Sequence, residues 1–247
     1  MEFTATPLVI GLIAALCFGM SKTGVPGFGL FGVILMTHAF PGMEKQSTGA
    51  VLPLLVIADL LAVFYYIRDC DWSKIRTLAL PVLVGLVLGG GVLHLVSNRQ
   101  FCVLLAAIIL AMIAIDRLRP LLQWEQLPKS RRFAWIMGIL GGSATVVGNA
   151  AGPVMTVYIA AQGFPKEKFM GTFAVFFCLV NVAKLPVVSF LGMITPQTLL
   201  FDLCLLPGIV VGSLIGRRLF LLIPEKWFVP IIVVLNTLAA LKMLLFP

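Results

Sequence analysis

Eight apolar segments, at residues 7–39, 47–67, 77–97, 100–116, 133–163, 169–193, 195–220 and 226–246, occupy most of this 247-residue chain. About 20 apolar residues cross the hydrocarbon core of a bilayer as a helix, and a helix satisfies its own backbone polar groups there. The expected fold is therefore all-α and polytopic in a membrane. A charged fraction of 11% beside 60% apolar residues excludes a soluble domain, which usually carries about 25% charge.

The net charge of +8 would suggest a nucleic-acid partner in a soluble protein. In a membrane protein Lys and Arg collect in cytoplasmic loops, so lipid is the expected partner and nucleic acid is not. Five cysteines at irregular spacing form no CxxC pair and predict neither a zinc site nor a disulfide framework. No metal or other cofactor is expected.

One polar stretch, Arg117 to Arg132, divides the chain into two halves that resemble each other. Pro26 aligns with Pro153, Phe40-Pro41 with Phe164-Pro165, Pro81 with Pro207, and Gly85 and Gly89 with Gly212 and Gly216. This reads as a duplication. The first repeat spans 1–119, a cytoplasmic linker 120–132, and the second repeat 133–247. Each repeat has one broken segment, 7–39 or 133–163, and three helices. These are 47–67, 77–97 and 100–116 in the first, and 169–193, 195–220 and 226–246 in the second.

The broken segments admit two readings, a long kinked crossing or a re-entrant hairpin. A half of some 14 residues reaches only about 20 Å, short of the ~30 Å core. Loop charge separates the readings, because a real topology shows a positive side. With eight full crossings the two sides carry nine and seven Lys and Arg. With two hairpins they carry thirteen and three. The hairpin reading leaves three crossings per half, inverts the second repeat, and places both termini on the extracytoplasmic side. Inverted repeats are a plan common among secondary transporters.

Lys22 and Lys184 are left over from this loop count. A cation near the bilayer centre costs roughly 2.5–3.5 kcal/mol on insertion scales, which calls for an anion or a polar cavity. For Lys184 the bland alternative is a lysine that snorkels to a nearby helix end. Pro26 and Pro153 suit the first positions of two half-helices whose N-termini point to the midplane, each offering free N–H groups and about +0.5 charge. Ser21, Thr23 and Asn149 add neutral donors, and Gly24, Ala151 and Gly152 let a ligand approach the backbone; close helix packing is the competing reading of the small residues. Asn181 shares a helix face with Lys184. Asp59, aligned with Asn181, is either the partner of a lysine or a carrier of a coupling proton.

Other motifs are discounted. Gly27 to Gly32 matches GxGxxG without a surrounding βαβ unit, and no HExxH, GxSxG or Walker A sequence occurs. Neither an intramembrane enzyme nor a pump with its own ATPase is indicated.

The strings GMSKTGVPGFG (19–29), ADLLAV (58–63), NAAGPVM (149–155), GTFAVFFCLVNVAKLP (171–186) and LGMITPQ (191–197) resemble the TauE/SafE sulfite exporter family, also called the toluene-sulfonate uptake permease family. The resemblance covers nearly the whole chain. It implies a multi-pass transporter of the bacterial inner membrane for sulfite, sulfonates or sulfoacetate-like anions. Family motifs fall on Ser21, Lys22, Thr23, Gly24, Pro26, Asn149, Gly152, Pro153, Asn181 and Lys184. The expected function is secondary transport of a small sulfur oxyanion by alternating access; the alternative is a passive anion channel. Direction, coupling ion and oligomeric state are left open by the sequence.

Overall fold

The computed structural model describes residues 5–40, 42–97, 99, 100, 103, 107 and 130–245. The predicted helix 100–116 and most of the linker 120–132 lie outside the described residues. Among the described residues there are helices and no strands. In chain order they are α1 (Ala5–Thr23), α2 (Phe28–Ala39), α3 (Glu44–Ala50), α4 (Leu52–Tyr66), α5 (Trp72–Leu95), α6 (Arg131–Gly148), α7 (Ala151–Ala160), α8 (Lys166–Phe190), α9 (Pro196–Leu222) and α10 (Glu225–Leu245). Among the described residues, five stretches are long and apolar enough to cross a membrane: Ala5–Thr23, Lys45–Asp69, Trp72–Leu95, Lys166–Phe190 and Pro196–Leu222. The protein is a multi-pass membrane protein.

Both broken segments fold back on themselves. A Cβ added at Gly29 would lie 2.8 Å from Ser21 Oγ, and one at Gly32 would lie 2.7 Å from the Phe18 ring. Later residues of α2 thus meet earlier residues of α1, which defines an antiparallel hairpin. In the second half Gly141 of α6 faces Met155 and Val154 of α7 in the same manner. The arms are unequal. α1 has 19 residues, about 28 Å of helix, against the 14 residues and ~20 Å expected for a half-segment. The break falls later than the centre because Gly19, Met20 and Ser21 continue the helix, and chain reversal waits for Gly24 to Gly27.

Each hairpin packs on a helix of the other half through small residues. α1 runs parallel to α9, with Gly208 beside Leu12, Gly212 beside Leu16 and Gly216 beside Met20. α6 runs parallel to α5, with Gly138 beside Pro81 and Gly142 beside Gly85. Without side chains the backbones approach closely, as small-xxx-small motifs permit. α4 and α8 cross antiparallel, since Asn181 meets Asp59 while Gly171 meets Tyr66 and Asp69.

These contacts also sort the charges. Lys168 of α8 pairs with Asp71 at the start of α5, 2.8 Å apart. Lys166 donates to the carbonyls of Phe220 and Ile223 at the end of α9. The Arg217 guanidinium lies 4.8 Å from the Tyr66 ring. Arg68, Lys74, Arg76, Lys166, Lys168, Arg217, Arg218 and Lys226 therefore gather at one end of the bundle. Arg131 and Arg132 join them through the parallel pair α5 and α6. Lys45 sits at the opposite end, donating to Val96 O beyond the last turn of α5.

Candidate functional site

The two breaks meet at one buried cavity. Ser21, Lys22, Pro26 and Gly29 line it from the first hairpin, and Thr145, Asn149, Gly152 and Pro153 from the second. Phe173, Phe177 and Asn181 of α8 close one wall, and Phe18, Leu30 and Leu55 complete the lining. The space open to the centre of a water molecule is about 30 Å³, enough for roughly two waters. In this conformation it is too small for a large organic anion.

Lys22 is the charged wall. It is 7% exposed and its Nζ lies 2.7 Å from Asp59 Oδ1. The same ammonium stands 4.2 Å from the centre of the Phe177 ring, a cation–π contact. Asp59, near the middle of the Lys45–Asp69 span, is fully buried and also accepts from Asn181 Nδ2 at 2.6 Å. The pair and its hydrogen bond offset the desolvation of two buried charges. Asn181 Oδ1, buried on the cavity wall, has no donor among the described residues.

Lys184 occupies a different position. It is fully buried, and its Nζ donates to Thr145 O at 2.8 Å, Thr145 Oγ1 at 3.2 Å and Asn149 Oδ1 at 2.5 Å. All three of its N–H groups are thus engaged. The contacts fall on the C-terminal turn of α6, where a cation also favours the helix dipole. Asn149 ends that helix in the left-handed conformation, φ 53°, which asparagine tolerates better than most residues. Its Nδ2 donates to Thr48 O at 2.9 Å, tying the break to α3.

Of the residues singled out in the sequence, Ser21, Lys22, Asn149, Gly152 and Asn181 line the cavity. Ser21 spends its hydroxyl proton on Pro26 O, at 2.8 Å. A Cβ on Gly152 would meet nothing within 4 Å, so this residue leaves its backbone open to the chamber. Asp59 and Lys184 stand one layer behind. Thr23, Gly24 and Ala151 serve packing: Thr23 Oγ1 donates to Ser213 O at 2.6 Å and its carbonyl accepts from the Tyr66 hydroxyl at 2.5 Å. A Cβ at Gly24 would sit 2.2 Å from Gly216 O, and Ala151 is 0% exposed.

The helix starts differ from the expectation. α2 begins two residues after Pro26, because Val25 to Gly27 form a turn in which Phe28 N–H bonds Val25 O and Gly29 N–H bonds Pro26 O. Two amides expected to face a ligand are thereby satisfied internally. α7 begins at Ala151, two residues before Pro153, so Pro153 removes one amide from its first turn. The aromatic wall of Phe173 and Phe177 is new. Its signal was the four-residue spacing of Phe173, Phe177 and Asn181, which share one face of a helix.

The family model described as Sulfite exporter TauE/SafE matches residues 8–243, nearly the whole chain. Comparison with curated proteins and with solved structures gives no match.

Proposed function

Since the chain belongs to the sulfite exporter TauE/SafE family of membrane transporters, we propose that it carries a small sulfur oxyanion across the bacterial inner membrane through the chamber between the two hairpins. The observation that carries this reading is the convergence of both breaks and Lys22 on one buried cavity. In the conformation described, Asp59 neutralises Lys22. An entering anion would take over that role, freeing Asp59 to accept a proton, and this exchange gives the carboxylate its coupling role. Lys184 adds positive charge from behind Asn149, and Asn149, Ser21 and the open backbone at Gly152 complete the cradle. Asn181 Oδ1 suits the hydroxyl of a singly protonated oxyanion, such as hydrogen sulfite.

The chamber offers only about 30 Å³, so an anion larger than a couple of waters passes only with a rearrangement. That supports alternating access over a continuously open pore. Two inverted repeats would supply the moving parts, each hairpin riding on a helix of the other half. In support, the repeat-aligned residues Asp59 and Asn181 hydrogen-bond where α4 and α8 cross antiparallel. The basic end of the bundle is assigned to the cytoplasm by the positive-inside rule, which puts both termini outside.

The deciding experiment measures binding of sulfite, thiosulfate, sulfoacetate and sulfate to the purified protein, then flux in proteoliposomes with and without a proton gradient. Binding of one sulfur anion, lost in Lys22→Gln while the protein stays folded, is the expected result. Unchanged binding in Lys22→Gln refutes the site. Gradient-independent, unsaturable flux refutes the transporter reading in favour of a channel. Single cysteines at Arg132 and Lys166 should label from the same side of the membrane; opposite sides would refute the hairpin topology.

A further inference from the structure

A second, larger pocket opens at the basic end of the bundle, between the first turns of α5 and α6. Its volume is about 480 Å³, and Lys74, Arg76 and Thr77 of α5 and Ser130, Arg131 and Trp135 of α6 stand around it with Tyr158 of α7. No ion pair of Lys74, Arg76 or Arg131 occurs among the described residues, where the two salt bridges are Lys22–Asp59 and Lys168–Asp71. Three cations therefore face one cavity; the nearby Asp71 carboxylate, which acts on Tyr158, is already paired with Lys168.

Tyr158 adds a polar group to the lining. The residue is 1% exposed, its ring stacks on Phe133 at 5.7 Å, and it lines the pocket. A phenol so placed can offer its O–H to a ligand while its ring stays packed. The N-termini of α5 and α6 lie side by side here, adding partial positive charge in the same direction.

We infer that this pocket binds the phosphate headgroup of an anionic phospholipid, held by Lys74, Arg76 and Arg131 and by a hydrogen bond from Tyr158. The location selects lipid over a soluble anion. Both helices start at the membrane surface, and Trp135 stands at the level where aromatic residues favour the interface. Deeper along the same helices, the outward side chains are apolar and exposed: Leu80 at 58%, Val87 at 75% and Ile136 at 58%. A headgroup in the pocket leaves its acyl chains on that surface. Basic pockets between spanning helices recognise anionic headgroups by this combination.

The test is native mass spectrometry of the whole protein released from micelles containing equal amounts of phosphatidylglycerol and phosphatidylcholine with identical chains. The wild type should retain one phosphatidylglycerol in clear preference. Each lost cation should weaken that preference by about fivefold, and the triple variant Lys74→Gln/Arg76→Gln/Arg131→Gln by roughly one hundredfold. Tyr158→Phe should lower it severalfold, and Lys22→Gln should leave it unchanged. If the triple variant does not fold, Arg131→Gln alone gives the same reading at smaller amplitude. Equal retention of the two lipids by the wild type, or an undiminished preference in folded variants, overturns the proposal. Displacement of the bound lipid by millimolar inorganic phosphate or glycerol phosphate also overturns it, because the site would then belong to a soluble anion.

Discussion

The ion pair between Lys22 and Asp59 separates folding from function in a way a double-mutant cycle can read. With Nζ and Oδ1 2.7 Å apart and side-chain exposures of 9% and 0%, neither charge has bulk water to fall back on. Removing one partner of such a pair costs about 3–5 kcal/mol, because the other is left buried without compensation. Lys22→Met strands Asp59 with Asn181 as its remaining donor. At about 2–4 °C per kcal/mol for a chain of this length, the midpoint of thermal unfolding should fall by roughly 10 °C. Asp59→Asn should cost less, since Lys22 borders the cavity and can be solvated from it. The double variant Lys22→Met/Asp59→Asn carries no buried charge at this point and should recover to within about 1–2 kcal/mol of the wild type. Flux in proteoliposomes should not recover with it, because the anion has lost its counter-charge. Asp59→Asn alone should bind the anion more tightly, having lost the internal competitor for Lys22, yet turn over more slowly. Equal stability of all four proteins would show that the pair is not coupled. Wild-type flux in the double variant would refute the assignment of Lys22 to the anion.

Three further outcomes follow from the geometry. Gly152→Ala should fold normally, since nothing lies within 4 Å of the added methyl, yet reduce anion binding by filling the chamber; an isothermal titration checks both. Gly212→Ala should do the reverse: its methyl would lie 2.2 Å from Leu16 O, forcing α1 and α9 apart at a cost at or above the usual 1–3 kcal/mol of overpacking, about which a thermal melt decides. At the basic end, the Lys168 ammonium on Asp71 holds that carboxyl below the usual carboxylate range, with backbone N–H groups of Lys74 and Ser73 assisting. A carboxyl lowered in the folded state contributes stability above its unfolded value, and this is lost as pH falls through the folded value. Melting temperature should therefore drop for the wild type below about pH 4, and Asp71→Asn should flatten that part of the curve.

The apolar segments and a break near the centre of 7–39 and of 133–163 were legible in the sequence because a bilayer imposes a length and a composition on anything that crosses it; the structure puts the breaks at Gly24–Gly27 and Asn149–Ala150. Lys22, Asn149, Gly152 and Asn181 stood out for the same reason: polar and conformationally special residues are costly there, so they mark a purpose. Tertiary structure alone decided how those residues divide the work. The two lysines look equivalent by composition, yet Lys22 faces the chamber while Lys184 spends its three donors on Thr145 and Asn149. Burial fixes which residue type is expensive, whereas partner geometry fixes what compensates it, and that depends on segments more than 30 residues apart. Thr23, beside Lys22 in sequence, turns toward α9 because the helix rotates successive side chains by 100°, and Gly24 follows it against Gly216. What surrounds each residue of a break depends on which helix the hairpin leans against. That is set by small-residue contacts across the two halves, and no local pattern encodes it.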